Sequence, residues 1–330
     1  MFSNPYYDQS FGKTIILFFS RMAALLTGQL PFSELASDDI QILVLIGVAA
    51  SSALVGTFLV LRRMTMLANS LSHTILIGIV LAYLISTHNG TGDGAHSYLP
   101  PMQAMFVASI IMGLLTAFFT EFLTKTGRLQ EDASAGIVFT SLFAAGVILL
   151  TLLTKNAHIG TEVIMGNVDA LHKDDIAWVF GILVVNCFLI MLFFKAYKIT
   201  TFDSALASAL GFCVPFYNYL LMAQVSATSI GAFRAVGVLL VLSFMTGPVL
   251  TARLLTHHLG KLLLLSVAIG SLASLVAVAL SRHILTNYGI ALSTSGVVVC
   301  VIACFYLVAI LFAPTTGLIA QNRHKKAELR

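Results

Sequence analysis

A helix needs about 20 mostly apolar residues to cross the hydrocarbon core of a bilayer. Runs of that length recur along almost all of this chain. They fall near 39–61, 66–87, 101–124, 133–154, 174–196, 213–229, 231–254, 260–282 and 290–313. Within lipid, only helices or closed barrels satisfy the backbone. These runs are about twice the length of a barrel strand. The expected fold is therefore all-α: a polytopic membrane helical bundle of about nine core transmembrane helices. Composition agrees, with 58% hydrophobic and 10% charged residues, where a soluble domain carries about 25% charge. The sixth and seventh runs are nearly continuous, and Gly231 and the Gly247–Pro248 pair are the expected places for a break or kink. A shorter run at 14–30 carries Arg21. It reads as an interfacial helix or a tenth span, with the interfacial reading preferred.

Lys and Arg mark the cytoplasmic side of such a chain. Arg62–Arg63, Lys125 with Arg128, Lys195 with Lys198, Arg253 with Lys261, and the tail from Arg323 fall on alternate connections. Those connections and the C-terminus are expected in the cytoplasm. The acidic 31–39 segment and the loop 88–101, which has no Lys or Arg, are expected outside. Lys155, Lys173 and Arg282 are exceptions to the pattern. The expected organisation is an N-terminal segment 1–38, a transmembrane body 39–322 and a basic tail 323–330. Positions 1–10 hold no basic cluster, so no cleavable signal peptide is expected.

A net charge of +4, dispersed over short loops, provides no basic patch for nucleic acid. The chain contains no GxxxxGK[ST] phosphate loop and no HExxH or Ser-His-Asp arrangement. Its connections are too short for a nucleotide domain, so ATP hydrolysis would have to occur on another chain. Cys187, Cys213, Cys300 and Cys304 form no CxxC pair. Cys300 and Cys304 share a helix face and could hold a soft metal ion, yet small buried hydrophobes are the simpler reading. Small-xxx-small spacings at Gly270/Ser274 and Ala273/Ala277 suit close helix packing, within one subunit or between two.

The second run holds the most informative polar pair. Asn69 and His73 are four apart and share one helix face, with Ser72 beside them. Polar groups inside a span are costly and usually face a pathway. Imidazole nitrogen with an amide oxygen suits Mn, Fe or Zn. The bland alternative is a packed hydrogen bond between the two side chains.

The stretch from Arg62 to Gly78 resembles the signature of bacterial ABC permeases that import manganese, zinc or iron, RRM-x-L-x-G-D-A-L-S-H-x-x-L-P-G. It matches at Arg62, Arg63, Met64, Leu71, Ser72, His73 and Gly78, and departs at Asn69 (usually Asp) and Ile77 (often Pro). The resemblance extends over roughly residues 40–320. It includes the Glu131-Asp132 segment through Phe143, Met165-Gly166-Asn167, Phe233 to Leu240, Thr246 to Leu255, and Leu311 to Leu318. It implies that His73 and Asn69 contact the transported ion. The neutral oxygen of Asn69 would hold a dication less strongly than a carboxylate.

The resemblance also implies a coupling helix near 201–211 that docks on an ATPase, matched at Phe202, Asp203, Ala207 and Gly211. Asp203 suits an N-cap and Gly211 a helix end. An ordinary linker helix is the alternative. His88, His96, His158, His172 and His283 fall in expected outer connections. They could relay a cation, with Asp93, Glu162 and Asp169 adding a negative field; solvated loop histidines are the simpler account.

The expected role is thus a permease subunit of an ATP-driven divalent-metal importer in the bacterial cytoplasmic (inner) membrane. It would be a transport subunit and not an enzyme, with no permanently bound cofactor; Mn, Zn or Fe would be its cargo. Implied partners are cytoplasmic ABC ATPase subunits, an extracytoplasmic solute-binding protein, and a second permease subunit. A heterodimer is preferred to a homodimer, since a different partner could supply the carboxylate that Asn69 lacks. The rivals are a gradient-driven secondary transporter or channel, and an ABC permease for a siderophore or corrinoid.

Overall fold

The computed structural model describes residues 5–6, 9, 11–29, 31, 34–65, 74, 77–78, 80–81, 102–154 and 168–313. Every regular element among them is helical. They are α1 (Phe11–Leu26), α2 (Ser37–Leu61), α3 (Met102–Gly127), α4 (Glu131–Thr154), α5 (Lys173–Leu192), α6 (Phe194–Phe202), α7 (Ser204–Ala209), α8 (Val214–Val236), α9 (Val238–Leu255), α10 (Leu259–Tyr288) and α11 (Thr294–Phe312). A 3-10 turn, Val168–Ala170, precedes α5. Among the described residues six helices, those of α2, α3, α5, α9, α10 and α11, are long and apolar enough to cross a membrane. The second expected run, 66–87, lies almost wholly outside the described residues.

The chain forms two compact units. One comprises Met1–Leu54, Asn167–Leu183 and Ser243–Arg330; the other comprises Val55–Gly166 and Val184–Leu242. Three of the four divisions fall inside α2, α5 and α9.

In the first unit, α10 packs against α1 and α11. Close approach is secured by glycines. A Cβ on Gly247 would lie 2.3 Å from Ile302 Cγ2, and one on Gly47 would lie 2.7 Å from Val179 Cγ1. Asp38 and Asp39, in the first turn of α2, are buried yet fully engaged. Asp39 accepts from Tyr6 Oη, from Arg21 Nε at 2.8 Å and from the Ala36 amide at 3.0 Å. The Ala36 bond is the back-reaching half of a capping box. Burial and the bond to Asp39 push the Tyr6 phenol well above its ordinary value, so it stays a donor. Asp38 pairs with Arg282. The acids of 31–39 read from sequence as outward-facing charge are thus in part internal ion-pair partners. Arg282, an exception to the basic pattern, has a structural reason.

In the second unit, α3 packs against both α4 and α8, and α6 and α7 lie against the start of α8. Its buried polar groups answer one another. Tyr197 Oη donates to Gln224 Oε1 at 2.7 Å, and Asn186 Nδ2 donates to Thr228 Oγ1 at 2.6 Å. Thr116, Thr120 and Thr124 each donate to the carbonyl four residues back, at 2.7, 2.8 and 2.8 Å, which lets hydroxyls sit in an apolar span.

Two expectations are corrected. Helix α8 is continuous through Gly231, and the break falls at Gly237, whose φ of +82° only glycine adopts readily. The Gly247–Pro248 pair lies inside continuous α9. Cys300 and Cys304, expected to be buried, are exposed on the chain's surface, as are Cys187 and Cys213. They share that surface with large apolar side chains such as Met191, Leu264 and Leu307, 73%, 75% and 59% exposed. This is the pattern of a surface solvated by lipid.

Candidate coupling and transport site

The segment between α6 and α8 is built by local chemistry. Asp203 is extended (φ −149°, ψ 96°) and ends α6. Its Oδ1 accepts from the Leu206 amide at 2.8 Å, which caps α7. At the other end Gly211 adopts φ +86°. The Phe212 amide reaches Ala207 O at 3.0 Å and the Gly211 amide reaches Ser208 O at 3.1 Å. That pair of bonds is a Schellman ending, which favours glycine at the left-handed position. Both ends are therefore specified by residue type.

The faces of α7 are sharply divided. Ala207 is fully buried and anchors the helix to its own unit. Phe202, Leu206 and Leu210 are 63%, 50% and 58% exposed. Of the four residues expected to meet an ATPase, Phe202 is available to a partner, Asp203 and Gly211 shape the helix ends, and Ala207 faces inward. Leu206 and Leu210 escaped the sequence reading. Their signal was a pair of leucines four apart in an otherwise small, polar segment.

A cavity of about 390 Å³ lies behind α7, lined by Met64, Thr120, Glu121, Lys125, Ser204, Ser208 and Tyr219 among others. Glu121 and Lys125 pair across one turn of α3 within it.

Asn69 and His73 lie outside the described residues, as do His88, His96 and His158. Thr74, next to His73 in sequence, is buried and receives a hydrogen bond from Thr116 at 3.1 Å. Gly78 belongs to a close crossing: a Cβ there would lie 3.2 Å from Met112 Cγ and 3.3 Å from Ala108 O. His172 is exposed, and its amide donates to Asp175 Oδ2 at 2.9 Å. His283 is half-buried against the edge of Phe11 and within 3.1 Å of Asn287 Nδ2. Asp169 accepts from Gln41 at 2.8 Å and Thr294 at 2.7 Å, which ties it into the first unit. Among the described residues no three His, Cys, Asp or Glu side chains gather as a metal site.

Residues 40–313 match the family model described as the ABC 3 transport family. The chain belongs to that family. It is 41% identical over 310 residues to a protein of Chlamydia trachomatis named "Probable metal transport system membrane protein", covering 94% of each chain. It is 37% identical over 293 residues to the manganese transport system membrane protein MntD of Bacillus subtilis, covering 84% of this chain and 92% of that one. Among solved structures it resembles PsaBC of Streptococcus pneumoniae, determined with a Fab. The TM-score is 0.70 at 27% identity, over 89% of this chain and 97% of that chain. This ABC 3 family member is an integral membrane protein with the fold of an ABC permease.

Proposed function

We propose that this chain is the membrane-spanning permease subunit of an ATP-driven importer of a divalent metal ion, Mn, Zn or Fe. It binds and conducts the ion, and separate cytoplasmic ATPase subunits supply the energy. A solute-binding protein delivers the ion from outside, and a second permease subunit, preferably a different chain, completes the pathway. His73 and Asn69 contact the ion. The 16-residue α1, about 24 Å long, is short of the roughly 30 Å hydrocarbon core and fits an interfacial position.

The observation that carries this reading is the capped helix α7. Its exposed Leu206, with Phe202 at the end of α6 and Leu210 just after α7, stands on the expected cytoplasmic side. A cluster of exposed apolar side chains on a capped connection between spans fits a docking partner. Membership in an ABC family makes an ATPase the fitting partner.

The test is reconstitution in proteoliposomes with the ATPase and the second permease. Radiolabelled Mn(II), Zn(II) and Fe(II) are offered, with and without ATP. Accumulation should require ATP and the ATPase. Uptake that persists without the ATPase would instead favour a gradient-driven carrier. Replacing Leu206 and Leu210 by Asp should abolish ATPase capture while membrane insertion stays intact. His73→Ala should abolish uptake yet leave the ATPase bound.

A further inference from the structure

The expected span carrying Asn69 and His73 follows α2 in the sequence, and the end of α2 is tied to both flanks of α7 by one side chain. Arg62 is half-buried. Its Nε donates to Thr201 Oγ1 at 3.1 Å, its Nη2 donates to Thr200 Oγ1 at 2.9 Å, and its Nη1 donates to Asn218 Oδ1. Thr200 and Thr201 close α6, immediately before the cap residue Asp203. Asn218 lies in the first turns of α8, immediately after α7. The guanidinium therefore spans the coupling segment from one side to the other.

The backbone at this junction is also held. The Met64 amide bonds to Leu59 O at 3.0 Å and the Arg63 amide bonds to Val60 O at 3.2 Å. This is again a Schellman ending, but its left-handed position is taken by Arg63, with φ +61°. A non-glycine residue there costs on the order of 1 kcal/mol. The chain thus leaves α2 in one strained direction. The cavity of about 390 Å³ behind α7 is lined by Met64 from this junction and by Ser204 and Ser208 from α7 itself. Interiors close-packed throughout do not yield to small displacements. Here Ser204 and Ser208 of α7 line open space, and Ala207 is the one residue of α7 that is buried.

We infer that Arg62 is the positioning residue that carries displacement of the coupling helix to the end of α2, from which the chain continues toward Asn69 and His73. This rests on the importer reading above. A push on α7 moves the ends of α6 and α8, and the Arg62 fork moves the end of α2 with them. Three donors in a rigid plane transmit direction as well as position. A lysine in the same place offers a single point charge on a flexible stem.

The experiment uses the whole complex in proteoliposomes and measures ATP hydrolysed and radiolabelled Mn(II), Zn(II) or Fe(II) accumulated, whichever the wild type moves. Arg62→Gln should assemble and hydrolyse ATP within about twofold of wild type, yet move at least tenfold fewer ions per ATP. Arg62→Lys should recover part of the stoichiometry. Thr200→Val combined with Thr201→Val should reproduce the uncoupling and add nothing to Arg62→Gln. If Arg62→Gln does not assemble, the Thr200→Val/Thr201→Val variant decides alone. A wild-type complex that hydrolyses ATP without moving any of the three ions strikes at the importer reading. A transporting wild type beside variants of unchanged ion-to-ATP ratio overturns the role of Arg62 alone.

Discussion

Asp203 and Gly211 enclose six helical residues, too few to form a helix unaided. Each end bond therefore matters. Asp203→Ala removes the cap, at a cost of about 1 kcal/mol. Gly211→Ala forces a Cβ into φ +86° at a similar cost. About 1 kcal/mol shifts the folded fraction of a marginal segment about fivefold. Either variant is expected to weaken ATPase binding by roughly that factor, measured by surface-immobilised binding in detergent. Both residues were legible in the sequence because a cap is chosen by the chemistry of one or two side chains. The orientation of Ala207 was not, since which face of α7 turns inward is decided by α6 and α8. Asp39 presents the opposite case. Nothing local marks it as buried, yet Tyr6, Arg21 and the Ala36 amide all converge on it. Asp39→Ala leaves these donors without their acceptor, on the order of 3 kcal/mol for a buried pair broken on one side. Limited trypsin digestion should then cut at Arg21, where wild type resists; equal resistance would show that packing alone holds α1.

Helix positions were legible and helix breaks were not. Apolar length predicts where α2, α3, α5, α9, α10 and α11 run, because a bilayer selects for length. The break between α8 and α9 was expected at Gly231 and lies at Gly237. Both are glycines among apolar neighbours; only packing distinguishes the one that must take a positive φ. Small residues read as a packing stripe do serve that purpose: a Cβ on Gly270 would meet Ala49 Cβ at 3.2 Å and Pro248 Cγ at 3.5 Å. The tightest approach among the described glycines is at Gly247, where a Cβ would lie 2.3 Å from Ile302 Cγ2. That methyl is on a branched carbon close to its backbone and cannot swing aside. Gly247→Ala should therefore cost about 1–3 kcal/mol by overpacking, seen as a lower thermal midpoint in detergent. Gly181→Ala in α5 meets nothing within 4 Å and should be neutral or stabilising by up to about 1 kcal/mol. Equal effects of the two would mean that helix propensity, not close approach, governs these glycines.

Orientation is a property of the whole chain, because it is set by the balance of Lys and Arg over all connections. That balance puts Arg62–Arg63, Lys125 with Arg128, Lys195 with Lys198, and Arg253 with Lys261 in the expected cytoplasmic connections, against Lys155, Lys173 and Arg282 on the other side. Arg282 is engaged by the buried Asp38. The same assignment places α7 on the side where an ATPase can reach it, so topology and coupling stand or fall together. The expected arrangement has position 91 outside and the C-terminus inside. Labelling with an impermeant thiol reagent on intact cells tests it. Cys187, Cys213, Cys300 and Cys304 are all exposed on the isolated chain, so each must first be replaced by Ser or Ala. In that background Thr91→Cys should react from outside, and Ala327→Cys should react only after the membrane is opened. The reverse pattern would place α7 outside the cell and remove the basis for an ATPase partner, whatever the affinity of the isolated proteins.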